Sequence, residues 1–396
     1  MKVVIVGAGV AGLAAARGLV GAGHEVEVYE QARALRTAGG SVAVWSGGTG
    51  ILHDLGADLS GVGRRVDSME TWTHDGRRLG AVGLSAAARR YGAPNVHLPR
   101  QRLVERLADG LPDGVLRFGA RCVRVDPERG EVELACGSTV RGDVVVGADG
   151  RFSAVRDRLW GGDPARVTPW VTWQGYATAP AELVSSHRIL LIVGPEGLCG
   201  LTPVGEGLLL WWFDHRRDDP PAGPGRTLAE RFGGWSSPVP EVLAAIDGRI
   251  ARFSHYHHRV PTVWGRGRAT LAGDAAHSVP PAMAQGANQG LEDGWALARE
   301  LDGPGPVPDR LRRYERVRSR RMALVAALAG TEMTGDHRRH GRLIRLVPDA
   351  LLTAAYAAWL RWTSTYLAAA RRAVPAPGPA GVRGGCDAST LPHKDF

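Results

Sequence analysis

Lysine is nearly absent from this chain. Only Lys2 and Lys394 occur among its 49 basic residues, and the remaining arginines are scattered along all 396 positions. Nucleic-acid binding would gather them on one face, so the net charge of +9 reads as codon-composition bias rather than an electrostatic footprint. Cysteine is scarce as well. Cys122, Cys136, Cys199 and Cys386 stand far apart and form no CxxC pair. That argues against a zinc site or a disulfide framework and predicts reduced thiols in a cytoplasmic protein. No apolar run reaches the roughly 18 residues of a membrane span. The apolar stretch at 3–6 leads straight into a glycine-rich turn, so it reads as a strand and not as a signal-peptide core. What is present is 44% apolar and 22% charged, the composition of a soluble globular protein long enough for two domains.

A buried strand ending at Val6 precedes an Ala-rich helix to about Gly21, and residues 25–29 predict a second strand closing at Glu30. This βαβ start implies a parallel sheet. Residues 100–109 predict a helix with Leu103, Val104 and Leu107 on one face. Residues 115–118, 122–125 and 132–134 alternate like an antiparallel meander, and 143–146 read as another buried strand. From about Trp160 to Val260 aromatics rise, strands alternate and Gly/Pro turns separate them, which predicts an antiparallel sheet inserted into the parallel domain. Residues 270–272 return to a buried strand, so the first domain is discontinuous. A basic helix over 308–329 follows. An Ala-, Trp- and Tyr-rich helix over 351–372, interrupted at Arg361, reads either as packing across both domains or as lying on a membrane surface. The tail beyond Val374 has a disordered composition.

Gly7-Ala8-Gly9-Val10-Ala11-Gly12 follows a strand and opens a helix, the context a dinucleotide fingerprint requires. Gly7 permits the turn, Gly9 lets the backbone approach a pyrophosphate, Gly12 lets helix and strand pack, and Glu30 is placed to bind a ribose hydroxyl. This segment alone does not separate FAD from NAD. Two later segments do. GADGRFSAVR at 147–156 carries Asp149, Gly150, Ser153 and Arg156; GDAAHSVPPAMAQGANQG at 273–290 carries Gly273, Asp274 and a helix N-terminus at 284–288. The second puts a carboxylate near a hydroxyl chain and aims backbone N–H groups at something electron-rich.

These three motifs, in this order, resemble the class A FAD-dependent aromatic monooxygenases, the para-hydroxybenzoate hydroxylase-like family, in its compact single-component members. The resemblance covers roughly residues 1–330. It implies an α/β fold: a Rossmann-type FAD-binding domain (1–72, 93–158 and 263–300), an inserted antiparallel substrate sheet (73–92 and 159–262), C-terminal helices (301–374) and a tail (375–396). It implies that Gly7, Ala8, Gly9, Val10, Ala11 and Gly12 meet the FAD pyrophosphate. Glu30 and Gln31 then border the adenosine ribose, Cys122 the adenine, and Arg100 the ribityl–phosphate region, unless Arg100 merely caps its own helix. Gly273 and Asp274 hold the ribityl or pyrophosphate side, and Ala284, Gln285, Gly286, Ala287 and Asn288 the ring edge. The turn from Gly39 to Ala43 lies beside the ring. Asp149 and Arg156 assist a transient NADH or NADPH, since no second GxGxxG exists. Two residues depart from the family pattern: Gln31 where Arg is common, and Ala284 where Gly is usual.

The implied chemistry is monooxygenation by reduced FAD and molecular oxygen through a flavin C4a-hydroperoxide, which requires an apolar, water-poor pocket. Trp173, Trp211, Trp212 and Phe213 are the pocket candidates; 209/211/213 and 208/210/212 occupy opposite strand faces, and the sequence does not say which faces the substrate. Asp214, His215 and His255 are candidate bases. The run His255-Tyr256-His257-His258 lacks a third ligand at suitable spacing, so no metal is expected, and His277 reads as structural. Residues 197–204 carry no charge where urate hydroxylases hold their substrate with Arg, which favours an aromatic or polyketide-like small molecule over a purine anion. Epoxidation, Baeyer–Villiger oxygenation and a non-catalytic flavin-binding role are the alternatives. No nucleic acid is expected as a partner, and monomer and homodimer both stay open.

Overall fold

A computed structural model describes residues 1–35, 40–217, 227–248, 250–281, 283–330 and 345–373. Runs such as 3–6 and 144–146, with no polar side chain between them, form strands covered on both faces, whereas Glu25–Glu30 alternates with glutamates. Accordingly β1 (Lys2–Val6), β2 (Glu25–Glu30), β8 (Leu116–Phe118), β12 (Val144–Gly147) and β18 (Ala269–Leu271) form a parallel five-stranded sheet in the order β18-β12-β1-β2-β8. A small antiparallel sheet, β11-β10-β9, flanks it, built from β9 (Cys122–Asp126), β10 (Glu131–Leu134) and β11 (Thr139–Arg141). The meander expected over 115–134 is thus corrected. Its first strand belongs to the parallel sheet beside β2, and the third strand of the meander lies further on. Three residues of alternation cannot tell these pairings apart.

A seven-stranded sheet runs in the order β17-β13-β16-β15-β14-β5-β6. Its strands are β5 (Ser68–Thr73), β6 (Arg78–Gly83), β13 (Arg166–Ala177), β14 (Arg188–Gly194), β15 (Gly197–Gly205), β16 (Leu208–Arg216) and β17 (Ala251–His257). It is antiparallel except where β5 runs parallel to β14. The boundary expected after residue 72 therefore falls inside β5. A third small sheet, β3-β7-β4, comprises β3 (Ser41–Val44), β4 (Arg64–Arg65) and β7 (Val96–Pro99). It stands between the parallel and seven-stranded sheets.

The helices are α1 (Val10–Gly21), α2 (Ser46–Asp54), α3 (Leu84–Tyr91), α4 (Arg100–Ala108), α5 (Ala154–Trp160), α6 (Ala181–Val184), α7 (Leu228–Phe232), α8 (Val239–Ala244), α9 (Asp274–His277), α10 (Gln285–Asp302), α11 (Val307–Gly330), α12 (Asp349–Thr363) and α13 (Thr365–Ala373). The C-terminal helix breaks at Ser364, not at Arg361: the Ser364 hydroxyl accepts from Leu367 N–H and contacts Glu292, starting a new helix. Helix α12 seats on α3 and β6, where Thr353 accepts from Gly83 N–H, so the packing alternative holds for it.

One apolar core surrounds the parallel sheet and α1, α4, α10 and α11. There α1 and α10 approach closely because α10 turns Gly290 and Gly294 toward α1. A Cβ on Gly294 would lie 2.6 Å from Ala15 N. A second core fills the outer face of the seven-stranded sheet under α7 and α8. A third lies on its inner face, beneath β3 and α12.

Candidate active site

The N-terminal turn leaves room for a ligand and forbids larger residues where it does not. Gly7 sits at φ +104°, and a Cβ on Gly12 would lie 2.0 Å from Gly7 O, so that turn tolerates only glycine. A Cβ on Gly9 would meet nothing within 4 Å. Gly9 is also the N-cap of α1 and offers no side-chain acceptor, so the first-turn N–H groups of Val10 and Ala11 face an open, electropositive space. At the end of β2, the Glu30 carboxylate is buried and fixed by Ala8 N–H at 2.9 Å and Ala32 N–H at 2.8 Å. Gln31 is exposed beside it. Arg100 is exposed at the start of α4, its backbone N–H donating to Gly40 O at 3.0 Å. Gly39 lies outside the described residues.

Asp149 and Cys122 lie together. One Asp149 oxygen accepts from Ala154 and Val155 N–H at 2.8 and 3.3 Å, capping α5, and the other is buried without a partner. Burial holds this carboxyl above its ordinary range, and burial together with the Asp149 charge pushes the Cys122 thiol up to about 12. Arg156 is a correction. Its side chain is 1% exposed, donates to Ala275 O and Arg151 O at 3.3 and 3.0 Å and pairs with Asp163 at 3.3 Å. The guanidinium expected to meet NAD(P)H instead ties α5 to the Gly273–Asp274 turn.

That turn faces the N-terminus of α10. Asp274 is exposed, and its Oδ1 lies 3.9 Å from where a Cβ on Gly286 would stand. Ala284, the N-cap, is held left-handed at φ 50°, ψ 39° and gives no side-chain cap, so the N–H groups of Gly286 and Ala287 stay open. A left-handed alanine costs on the order of 1 kcal/mol, which explains glycine as the usual residue here. Asn288 fastens this end to β3 and α2: its Nδ2 donates to Ala43 O at 2.7 Å and its Oδ1 accepts from Trp45 N–H at 2.9 Å. Gln285 is buried behind it.

Beneath α10 lies a buried ionic cluster that no motif announced. Arg318, fully buried on α11, binds Asp293 Oδ1 at 2.6 Å, Gln289 Oε1 at 2.7 Å and Thr365 Oγ1 at 3.0 Å, with Glu292 at 3.5 Å. Asp293 Oδ2 accepts from Gly273 N–H at 2.7 Å and meets His277 Nε2 at 2.5 Å, so His277 is structural. Burial would raise the Asp293 carboxyl, but His277 and Arg318 outweigh it and hold it low. Burial dominates at Glu292, whose carboxyl is raised.

The pairing of β13 with β16 settles the face question. Trp173 and Phe213 pair on the outer face with Trp211, packed against Phe232 and Trp235 of the α7–α8 region. Trp173, Trp211 and Phe213 are therefore corrected to outer-face packing. Trp212 faces inward with Gln174, Thr202 and Leu210, and packs in the inner core with Ala43, Trp45 and Ala284. Of the candidate bases, His215 turns outward beside Trp173. Asp214 and His255 turn inward, both bonded to the Thr172 hydroxyl, His255 Nε2 at 2.7 Å. Burial lowers His255 to about 4, so it is neutral. Among the described residues no cluster could hold a metal, and no helix is long and apolar enough to cross a membrane.

The open turn at Gly9, the buried Glu30, the orphaned Asp149 oxygen and the uncapped α10 opposite Asp274 fit the pyrophosphate, ribose, adenine side and ring of an FAD, with a lipophilic aromatic wall facing the ring end. That combination suits a flavin-binding enzyme. The comparisons agree. Residues 1–329 match the family described as FAD binding domain, and the chain belongs to that family. It is 34% identical over 346 residues to the 3-amino-4-hydroxybenzoate 2-monooxygenase PtmB3 of Streptomyces platensis, covering 82% of this chain and 85% of that one. It is 32% identical to the aurachin C monooxygenase/isomerase of Stigmatella aurantiaca, covering 81% and 86%. The crystal structure of Klebsiella pneumoniae HpxO complexed with FAD and uric acid superposes with a TM-score of 0.83 at 25% identity, covering 91% and 97%. The chain is an FAD-dependent aromatic monooxygenase.

Proposed function

We propose that this enzyme hydroxylates an aminophenol-sized or larger fused-ring aromatic, held between the N-terminus of α10 and the inner face of the seven-stranded sheet, in a cytoplasmic setting. The observation that carries the reading is the position of Trp45. Its indole N–H donates to Met283 O at 3.3 Å and its backbone to Asn288, while its ring touches His97 and Tyr356. One residue thus joins the flavin-facing helix end to an apolar aromatic wall. The amino-hydroxybenzoate named for the Streptomyces relatives supports the ring size, and the free thiols of Cys122, Cys136 and Cys199 suit a reducing compartment.

FAD, when bound, supplies the electrons and the activated oxygen. The residues of this chain bind and orient it. Gly7, Gly9 and Gly12 with the first turn of α1 hold the pyrophosphate, Glu30 the ribose, and Asp274 the ribityl side. The uncapped N–H groups of Gly286 and Ala287 would face the ring edge of a bound flavin, where a helix N-terminus favours negative charge. Trp45, Trp212 and Leu210 exclude water from the reacting side. Asp214, Thr172 and His255 form a hydrogen-bonded relay on the inner sheet face, where a phenolic proton can be taken up.

Asp274→Ala is the direct test. The purified variant should be colourless or bind FAD at least about tenfold more weakly, the loss expected for one charged hydrogen bond. A yellow variant with wild-type flavin spectrum and affinity would remove Asp274 from the site.

A further inference from the structure

Three buried polar atoms on the inner aromatic wall have no hydrogen-bond partner: His97 Nε2, Tyr356 Oη and Trp359 Nε1. Their rings form a continuous line through Trp45, with centroids 5.5 Å apart for Trp45–His97, 5.9 Å for Trp45–Tyr356 and 5.7 Å for Tyr356–Trp359. Orphaned groups of this kind are rare in folded proteins, because each costs on the order of 1–3 kcal/mol unless something supplies its partner. Three in contiguous rings, beside the Ala284 turn, mark a place where a ligand supplies them.

The chemistry of the trio defines that ligand. A phenol and an indole N–H donate. His97 Nδ1 meets the Thr202 hydroxyl at 3.0 Å, and the nearest other acceptor for that hydroxyl, Pro203 O, is at 3.5 Å. Where the hydroxyl donates to the closer Nδ1 rather than to Pro203 O, the His97 proton stands on Nε2 as a third donor. Burial keeps His97 neutral, lowering it to about 3, and raises Tyr356 far above its ordinary value. Arg64, the cross-strand partner of His97, spends its guanidinium on Ser185 O and Ser186 O. We infer that His97, Tyr356 and Trp359 are specificity residues that read acceptor oxygens on an uncharged aromatic substrate, a phenol, ketone or amide rather than a carboxylate. Three neutral donors stabilise a carbonyl well, whereas a carboxylate without a cation would lose more hydration than they return. The inference rests on the monooxygenase reading of this same site.

The test uses the FAD-loaded full chain and two probes of similar size, the neutral 3-amino-4-hydroxybenzamide and the anionic 3-amino-4-hydroxybenzoate, titrated against the flavin absorbance. The amide should bind at least about tenfold tighter than the acid. Tyr356→Phe and Trp359→Phe should each weaken the amide by roughly five- to tenfold with FAD content unchanged, the loss expected for one neutral hydrogen bond. Trp362→Phe, exposed on the same helix, should bind as wild type. Without ligand, Tyr356→Phe should unfold at a higher denaturant concentration than wild type, because it removes an unpaired hydroxyl; a structural hydroxyl would give the reverse. Tighter binding of the acid, no binding of the amide, or unchanged amide affinity in both variants would overturn the inference. Failure of the wild-type chain to hold FAD would instead overturn the site assignment beneath it.

Discussion

Arg318→Met removes the guanidinium that reaches both Glu292 and Asp293. Both carboxylates are buried, at 2% and 0% exposure, and Asp293 also holds the Gly273 N–H and His277. Methionine fills a similar volume but returns no charge, so two desolvated carboxylates are left to His277, Ser364 and a few backbone N–H groups. Breaking a buried ionic cluster from one side costs about 3–5 kcal/mol. The sign of the pH dependence follows. In the variant Glu292, already raised by burial, loses the opposing Arg318 charge, while Asp293 keeps His277. The protonated form of Glu292 is then favoured further in the folded chain, and the stability lost at pH 8 is partly restored as pH falls toward 5. Urea unfolding of apo-protein at both pH values measures this without the added stability of bound FAD. A loss below about 1 kcal/mol, equal at both pH values, would refute the cluster's role. Arg318→Lys should fall between, since an ammonium keeps the charge but not the fork that spans Asp293, Gln289 and Thr365.

Gly9→Ala should fold with unchanged apo-stability and yet lose FAD affinity, because its Cβ meets only the space assigned to the pyrophosphate; Gly12→Ala should impair folding itself. Equal behaviour of the two, read by thermal melts and flavin titration, would contradict that placement. Ala284→Gly should stabilise the chain by up to about 1 kcal/mol, less what glycine's freer unfolded chain takes back; a clear destabilisation in denaturant would show that the methyl, not the backbone, matters there. Burial lowers His97 to about 3 and His255 and His258 to about 4. The unfolded chain binds protons at these positions from about pH 6.5 downward and the folded chain does not. Stability should therefore rise with pH between about 4 and 6.5, and His97→Gln should flatten that slope. An unchanged slope would mean that His97 is hydrated.

The local geometry of the nucleotide-side candidates was legible because it is written in consecutive residues: the turns and helix ends at Gly7, Gly9, Gly12, Glu30 and Asp274. The substrate half was not, because it is assembled across the chain. Residues 208–213 are apolar on both faces, and only the α7–α8 cover over Trp211 and Phe213 reveals that Trp212 looks inward. Arg156 carries a motif signal, but its burial against Asp163 and Ala275 is a tertiary fact. His97 gave one signal that could have been read, a lone imidazole in the apolar strand before Arg100. Tyr356 and Trp359 gave none, since nothing in an Ala-rich helix states that it will close over β3.

The most direct measurement is turnover of the FAD-loaded enzyme with NADH or NADPH under ¹⁸O₂, with a panel of uncharged hydroxylated aromatics and mass analysis of the products. The account predicts at least one compound that accelerates NAD(P)H oxidation and returns with a single ¹⁸O atom on its ring. Oxidation that no aromatic accelerates, with all the oxygen recovered as hydrogen peroxide, would contradict it.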